Sequence, residues 1–221
     1  MKRSKMFFVL LLITGSLIAC NSQGTVKKED VKIYPIEAKF AIDVYSYPEQ
    51  AGAADYVCIG EVVEELETTN ALSEEQIEEL KKGLEDTSKV FFDPESHCMI
   101  RVIENLKGEL DQSKPIRIDK TGGIHPDGIE GSMFEDDIIP KLGEQYVFFI
   151  WVQEDGTNSV SGPNSNIPLN SDDMGRASTM SDRVRTTDRE VVLEKVREAV
   201  ENQVVPSWKT EIFLSNDDVG K

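Results

Sequence analysis

The stretch QYVFFIWV, residues 145–152, is the most hydrophobic part of the chain after its first 20 residues. Its apolar side chains run on without the alternation that marks a half-exposed strand. A short run of this kind, rich in aromatic and β-branched residues, predicts a central strand that is buried on both faces. We therefore expect a sheet with other parts of the chain packed on each side of it.

Further strands are predicted on both sides of this segment, because short β-branched runs are bounded there by polar and turn residues. Gly60 lies in the middle of one run, and a glycine at such a place predicts a bulge or a tight bend. Residues 124–144 have the composition of a loop, with a turn signal at 125–128. The predicted strands cover residues 55–65, 98–106, 115–119, 158–160 and 167–169.

Two capping boxes predict two helices. The first is Ser73-Glu74-Glu75-Gln76, which predicts a helix over about residues 73–83 that Gly83 can close. The second is Thr187-Asp188-Arg189-Glu190, followed by apolar residues at helical spacing and by Pro206, where we expect that helix to stop. Residues 46–54 predict a further short helical turn. Together the elements predict a mainly β protein with helices, built on a small, partly open barrel.

The first 20 residues predict an export signal and a lipid anchor. Lys2, Arg3 and Lys5 precede 14 mostly apolar residues, a stretch too short to span a bilayer comfortably but typical of a secretory signal. The segment ends in Leu17-Ile18-Ala19-Cys20, which looks like a bacterial lipobox, so Cys20 is predicted to be lipidated. Two acyl chains would give a stable anchor where one would be marginal. The alternative is an ordinary signal peptide with an incidental cysteine.

The net charge of the chain argues against nucleic acid as a partner. The 221 residues contain 24 Lys+Arg and 41 Asp+Glu, a net charge of −17. Residues 1–20 hold three of the basic residues and no acidic one, so their removal leaves 21 basic against 41 acidic residues and a charge of −20. Nucleic acid requires a basic face. We therefore expect no nucleic-acid partner.

The predicted domain organisation follows the chain from its anchor to its last helix. The body is expected to be one β domain that contains the first helix as an insertion after its first strand. The predicted segments are a signal peptide at 1–19, a tether at 20–35, the β domain at 36–170, a linker at 171–186 and a C-terminal helix and tail at 187–221.

The body of the chain resembles a family. Ala54-Asp55-Tyr56-Val57, Ile59-Gly60-Glu61-Val62, the strand that ends at Lys107-Gly108 and the run GEQYVFF at 143–149 are similar to a group of uncharacterised surface lipoproteins of Gram-positive bacteria. The resemblance covers roughly residues 46–170. It implies a small OB-like antiparallel barrel similar to the netrin and tissue-metalloprotease-inhibitor module. Those inhibitors place a free N-terminal cysteine on the target zinc, which a lipidated Cys20 could not do, so inhibition by that mechanism is not expected.

Cys58 and Cys98 leave two alternatives open. An even pair in an exported protein suggests a disulfide. The other interpretation is two buried free thiols that act as small hydrophobic side chains.

Motifs for catalysis, cofactors and metals are scarce. The sequence contains no Gly-x-Ser-x-Gly elbow and no phosphate-binding Gly-Lys-Ser/Thr loop. His97 and Cys98 are adjacent, so on a strand they point to opposite faces and cannot share a metal ion. His125 lies in the predicted turn. We therefore expect no enzyme activity, no catalytic residues, no cofactor and no zinc site.

Acidic clusters allow two further hypotheses. Paired acids could serve a hydrolase, and Glu135, Asp136 and Asp137 are candidates for weak calcium binding, although an EF-hand loop is missing. A solvated acidic surface is the interpretation we favour for both. Phe148, Phe149 and Trp151 are likewise expected to be core residues and not a binding platform.

The function expected from the sequence is that of a lipid-anchored protein on the outer face of a bacterial cell membrane. Its barrel would act as a binding or interaction module whose partner is another envelope or secreted protein. The alternatives are a small exported hydrolase that uses acidic residues, and a colloidal role in which only the charge and the anchor matter.

Overall fold

The computed structural model describes residues 31–82, 92–169 and 188–209. Those residues include ten strands and three helices, and residues 207–209 are also helical. The strands are β1 (Lys32–Ile36), β2 (Tyr56–Glu65), β3 (Thr69–Asn70), β4 (Pro94–Lys107), β5 (Ile116–Thr121), β6 (Gly123–Ile124), β7 (Glu130–Phe134), β8 (Gln145–Val152), β9 (Asn158–Val160) and β10 (Asn166–Pro168). The helices are α1 (Tyr47–Ala53), α2 (Glu74–Lys82) and α3 (Arg189–Glu201).

Five strands close into a barrel. Their order is β8-β2-β4-β5-β9, and β9 pairs with β8 again to complete the ring. β10 extends β8 on its other side, and β3 pairs with β4. The predicted fold class, a mainly β protein with a small barrel and helices, is confirmed. The expectation of a partly open barrel is wrong, because the pairing of β9 with β8 closes the ring. The barrel is also not wholly antiparallel, because β5 and β9 run parallel.

β8 is buried on both faces, as its sequence predicted, and it contributes to two hydrophobic clusters, one inside the barrel and one outside it. Tyr146, Phe148 and Ile150 point into the barrel, whereas Val147 and Phe149 face outward beneath α1 and α3. All five side chains are fully buried. Burial on both faces explains why this segment shows no alternation of polar and apolar residues.

Gly60 lies where β2 changes its register against β4. The ladder shifts between Ile59 and Gly60, which confirms the predicted irregularity. A Cβ atom at Gly60 would lie 2.9 Å from Cδ1 of Ile100 and 3.1 Å from the ring of Phe148. The glycine therefore lets β2 bend closely over the barrel interior.

The helices take the predicted places. The capping box of α2 is present: Ser73 Oγ accepts from the Gln76 backbone N–H at 3.2 Å, and Gln76 Oε1 accepts from the Ser73 N–H at 2.8 Å. α2 is an exposed insertion between β3 and β4. The cap of α3 is Asp188, which accepts from the Glu190 N–H at 2.9 Å, so the predicted capping box that begins at Thr187 is wrong by one residue. α3 packs against α1. It ends at Glu201, before the expected stop at Pro206.

None of the helices in the described residues is long and apolar enough to span a bilayer.

Four described strands occupy segments that the sequence did not mark as strands: the two-residue strands β3 and β6, and the longer strands β1 and β7. Residues 32–35 of the predicted tether belong to β1, and β7 lies inside the predicted loop 124–144. These strands pair in parallel and, with β6, form a separate three-stranded sheet beside the barrel. β1 is largely exposed, so it lacks the alternation that predicts a half-buried strand. The signal peptide, the linker 171–186 and the tail after residue 209 lie outside the described residues.

A buried ion pair closes one end of the barrel. Lys120 follows Ile118 on the inward face of β5, and both carboxylate oxygens of Asp137 lie 2.7 Å from its Nζ. The same ammonium donates to Ser165 Oγ at 2.9 Å and to the Gly162 carbonyl at 3.3 Å. Each charged side chain is only 1 % exposed. Burial lowers the pKa of Lys120 and raises that of Asp137, and the opposite charge of the partner counteracts both shifts.

Lys120→Met should lower the free energy of unfolding by about 3–5 kcal/mol, because it leaves the Asp137 carboxylate buried without its counter-charge. The double variant Lys120→Met/Asp137→Leu should recover most of that loss, since it removes both buried charges together. Urea unfolding followed by circular dichroism measures both variants. A single variant as stable as the native protein, or a double variant no better than the single one, would contradict this account.

Candidate functional site

A polar cluster lies on the outer face of the barrel where β3, β4 and β5 run side by side. His97 on β4 stands directly opposite Asp119 on β5. Glu95 precedes His97 by two residues and so shares its face, and Thr69 on β3 stands opposite Glu95. Cys98 belongs to the barrel interior, which confirms that His97 and Cys98 point to opposite faces.

Both ring nitrogens of His97 have partners. Nδ1 lies 2.7 Å from Asp119 Oδ1, and Nε2 lies 2.7 Å from Thr69 Oγ1. Asp119 can only accept and Arg117 can only donate, so both cannot hydrogen-bond to Nδ1 in one tautomer, whereas the Thr69 hydroxyl suits either tautomer because it can donate or accept. The His97 side chain is 3 % exposed, so the two contacts hold a buried ring in one orientation. The order hydroxyl, imidazole, carboxylate is also that of hydrolytic triads.

Arg117 adds a cation to the cluster. Its Nε donates to Asp119 Oδ1 at 2.6 Å, and its Nη2 lies 3.0 Å from His97 Nδ1. The hydrogen bond to Asp119 raises the pKa of the Arg117 guanidinium. The Arg117 side chain is 54 % exposed, whereas that of Asp119 is 8 % exposed. The guanidinium therefore covers the buried carboxylate from the solvent side.

Glu95 is the second carboxylate of the cluster. Partial burial raises its pKa, and the nearby charge of Asp119 raises it further. One oxygen of Glu95, one nitrogen of His97 and one oxygen of Asp119 all lie within 4.8 Å of one another. Such a set of groups can hold a cation or pass a proton.

A recess of about 380 Å³ opens between the barrel and the three-stranded sheet. Its volume falls within the range of about 300–1,000 Å³ that is typical of ligand pockets. Apolar side chains from β1, β7 and the segment after β7 form most of its wall, and His97, Ser96 and Glu65 supply polar groups. The apolar residues that line it include Ile33, Leu66, Ile124, Met133, Ile138 and Ile139.

The three calcium candidates do not converge on one point. Both oxygens of Asp137 are bound to Lys120, and the carboxylate is buried at the end of the barrel. Asp136 adopts a φ of 65° and accepts from the Tyr45 hydroxyl at 3.4 Å, whereas Glu135 is exposed. The ion pair with Lys120 therefore speaks against a calcium site that includes Asp137. The burial of Asp137 also differs from the solvated acidic surface expected for this cluster.

Cys58 and Cys98 are free, buried thiols, so the disulfide alternative is wrong. They lie on neighbouring strands, but Cys58 pairs with Asn105 and Cys98 pairs with Glu65. A separation of seven residues along β2 corresponds to about 20 Å, whereas bridged Cα atoms lie less than about 7 Å apart. Burial raises the pKa of each thiol to about 12, so both remain protonated at neutral pH.

The other residues considered in the sequence analysis pack against neighbouring side chains or lie outside the described part of the chain. His125 occupies the predicted turn, where its ring packs 4.6 Å from that of Phe92 and its carbonyl accepts from Gly128. Phe148 and Phe149 are core residues, as expected, and Trp151 is half-buried. Cys20 lies outside the described residues.

The sequence contained part of the signal for the cluster. Glu95-x-His97 is an acid and an imidazole two residues apart, but the predicted strand began only at residue 98, so the sequence did not place this pair on one strand face. The structure starts β4 at Pro94, which puts both side chains on the same face. Asp119 and Thr69 could not be found in this way, because only the strand register brings them to His97. Neither a protein-family model nor a curated protein matches the chain.

Thr69→Val should lower the free energy of unfolding by about 1 kcal/mol, because His97 Nε2 loses its hydrogen-bond partner. Thr69→Ser is the matched control, since it keeps the hydroxyl, and it should stay close to the native value. Guanidinium unfolding of the two variants side by side measures the difference. Equal losses in both would show that the hydroxyl contributes nothing to the cluster.

Proposed function

We propose that this protein is a lipid-anchored binding protein on the outer face of a bacterial cell membrane. The signal-like N-terminus and the lipobox ending at Cys20 support the location. The tether before β1 would give the barrel reach from the membrane surface. The expected relationship to Gram-positive surface lipoproteins belongs to the same proposal.

The observation that carries the binding function is the recess beside the barrel. The barrel interior is filled by a continuous apolar cluster, so a ligand has to bind outside it. The recess combines an apolar wall with a few polar groups, which is the composition of ligand sites in general. β1 forms one edge of the three-stranded sheet and contributes Ile33 to the wall.

We assign to this recess a segment of another envelope or secreted protein. An extended segment could add to the outer edge of β1 while its apolar side chains enter the recess. Three described residues near this edge are large, apolar or aromatic, and exposed: Ile33, Tyr34 and Ile129. The charge of −20 on the predicted mature chain disfavours acidic partners.

A hydrolase that uses acidic residues is the weaker alternative. It would draw on Glu95 and Asp119, the two carboxylates that the fold brings together. Asp119 is already bound by Arg117 and by His97 through the same oxygen. A carboxylate held in this way serves to orient its partners and is poorly placed to exchange protons with a substrate.

Cys20→Ala should move the full-length protein from the membrane fraction to the culture medium, because the acyl chains have no attachment point. Cell fractionation followed by immunoblotting measures the shift. Cys98→Ala is the matched control, since it removes a cysteine but leaves the lipobox intact, and it should remain in the membrane. Full retention of the Cys20→Ala protein in the membrane would contradict the proposed anchor.

Met133→Lys should abolish the capture of the partner, because it places a charge in the apolar wall of the recess. Crosslinking on intact cells, followed by purification and mass spectrometry, compares this variant with the native protein. Ile103→Lys, at an exposed position on β4 away from the recess, is the control and should still capture the same protein. If both variants capture one partner equally well, the recess is not its binding site.

A further inference from the structure

We propose that Glu95, His97 and Asp119 bind a first-row divalent transition metal ion of the zinc class. One ligand atom from each residue lies within 4.8 Å of the other two. The set combines an imidazole nitrogen with two carboxylate oxygens, which are ligands that zinc accepts. This inference does not rest on the lipid anchor or on the ligand proposed for the recess, although His97 also lines that recess.

The ligands stand on rigid parts of the fold. Glu95 and His97 alternate on β4, and Asp119 is held opposite His97 by the ladder between β4 and β5. His97 and Asp119 are buried and Glu95 is half-buried, so few other orientations are open to these side chains. A metal site needs this kind of support, because small errors in ligand position weaken coordination.

Thr69 supplies the outer support that metal-bound histidines usually have. In the metal-bound form Nδ1 would bind the ion, and Nε2–H would donate to Thr69 Oγ1, which lies 2.7 Å away. Such a bond fixes the tautomer and the direction of the ring. The Thr69 hydroxyl can take this role without moving, since it can both donate and accept.

Arg117 already places a guanidinium cation beside the cluster, where Asp119 holds it. Its guanidinium nitrogens approach His97 Nδ1 and Asp119 Oδ1, which are two of the three proposed ligand atoms. More than half of the Arg117 side chain is exposed, so it can swing into solvent when a metal ion takes its place. Arg117 is therefore a competitor of the metal ion, and its removal should tighten binding.

The ligand set favours zinc over calcium. Calcium takes six to eight oxygen ligands, whereas this cluster offers three protein ligands and one of them is nitrogen. Three protein ligands leave a fourth position of a tetrahedral zinc site for water or for a group from outside the protein. The position of Arg117 places that open side toward solvent.

The test is calorimetric titration of the full chain in detergent with Zn²⁺ after chelator treatment, with Ca²⁺ as a second titrant. We expect one zinc site per chain and no calcium binding at this site. His97→Ala and Glu95→Gln should each weaken zinc binding at least about tenfold, and Thr69→Val should weaken it by about tenfold through the outer bond. Arg117→Gln should strengthen it.

Two controls separate the site from weak zinc binding to the acidic surface. His125→Ala removes the other histidine, and Glu78→Gln removes an acid on the exposed helix α2; both should bind zinc like the native protein. Co²⁺ absorption gives an independent readout, since a cobalt band with an imidazole ligand should be lost in His97→Ala. Absence of zinc binding, or equal binding by the native, Glu95→Gln and His97→Ala proteins, would overturn the proposal. So would weaker binding by Arg117→Gln.

Discussion

The buried ion pair between Lys120 and Asp137 is the constraint on which the rest of the structure depends. It joins the end of β5 to the segment after β7 and, through Ser165 and Gly162, to the segment after β9. Two charges taken out of water are tolerated only when their geometry and hydrogen bonding are complete. The pair therefore specifies one arrangement of these three segments and penalises the others.

The candidate site depends on the same pair through the alternation of β5. Because Lys120 points into the barrel, its neighbour Asp119 must point outward, and there it meets His97. Asp137 also anchors the residues that follow it, and Ile138 and Ile139 are part of the recess wall. One internal contact thus determines the position of the outer cluster and the shape of the recess.

The barrel itself acts as a filled scaffold. β8 separates an interior cluster from an outer cluster that α1 and α3 cover. With the interior occupied by side chains such as Phe148 and Ile150, ligand chemistry is left to the outer faces and to the loops. This division is consistent with a binding protein whose barrel supports surface sites.

The sequence predicted the elements whose signals are local. β2, β4 and β8 were recognisable as β-branched or apolar runs, and the capping box of α2 was recognisable from Ser73 and Gln76. β1 and β7 were not predicted, because they are short and stabilise each other across about 100 residues of chain.

Contacts that depend on which residues of two strands pair could not be predicted from local sequence patterns. The distance between Cys58 and Cys98 and the meeting of His97 with Asp119 follow only from the pairing of the strands. A lysine and an aspartate in the sequence indicate surface, and nothing local shows that Lys120 and Asp137 are buried together. The barrel could therefore be predicted from the sequence, whereas its buried ion pair could not.

The most direct test of this account is native-state hydrogen exchange at the amides of Asp137, Ile138 and Ser165. If the ion pair fixes these segments to the barrel, these amides should exchange only through global unfolding, with the same free energy as the amides of β2 and β8. Exchange of the three amides at a much lower free energy, while β2 and β8 stay protected, would contradict the central role of the pair.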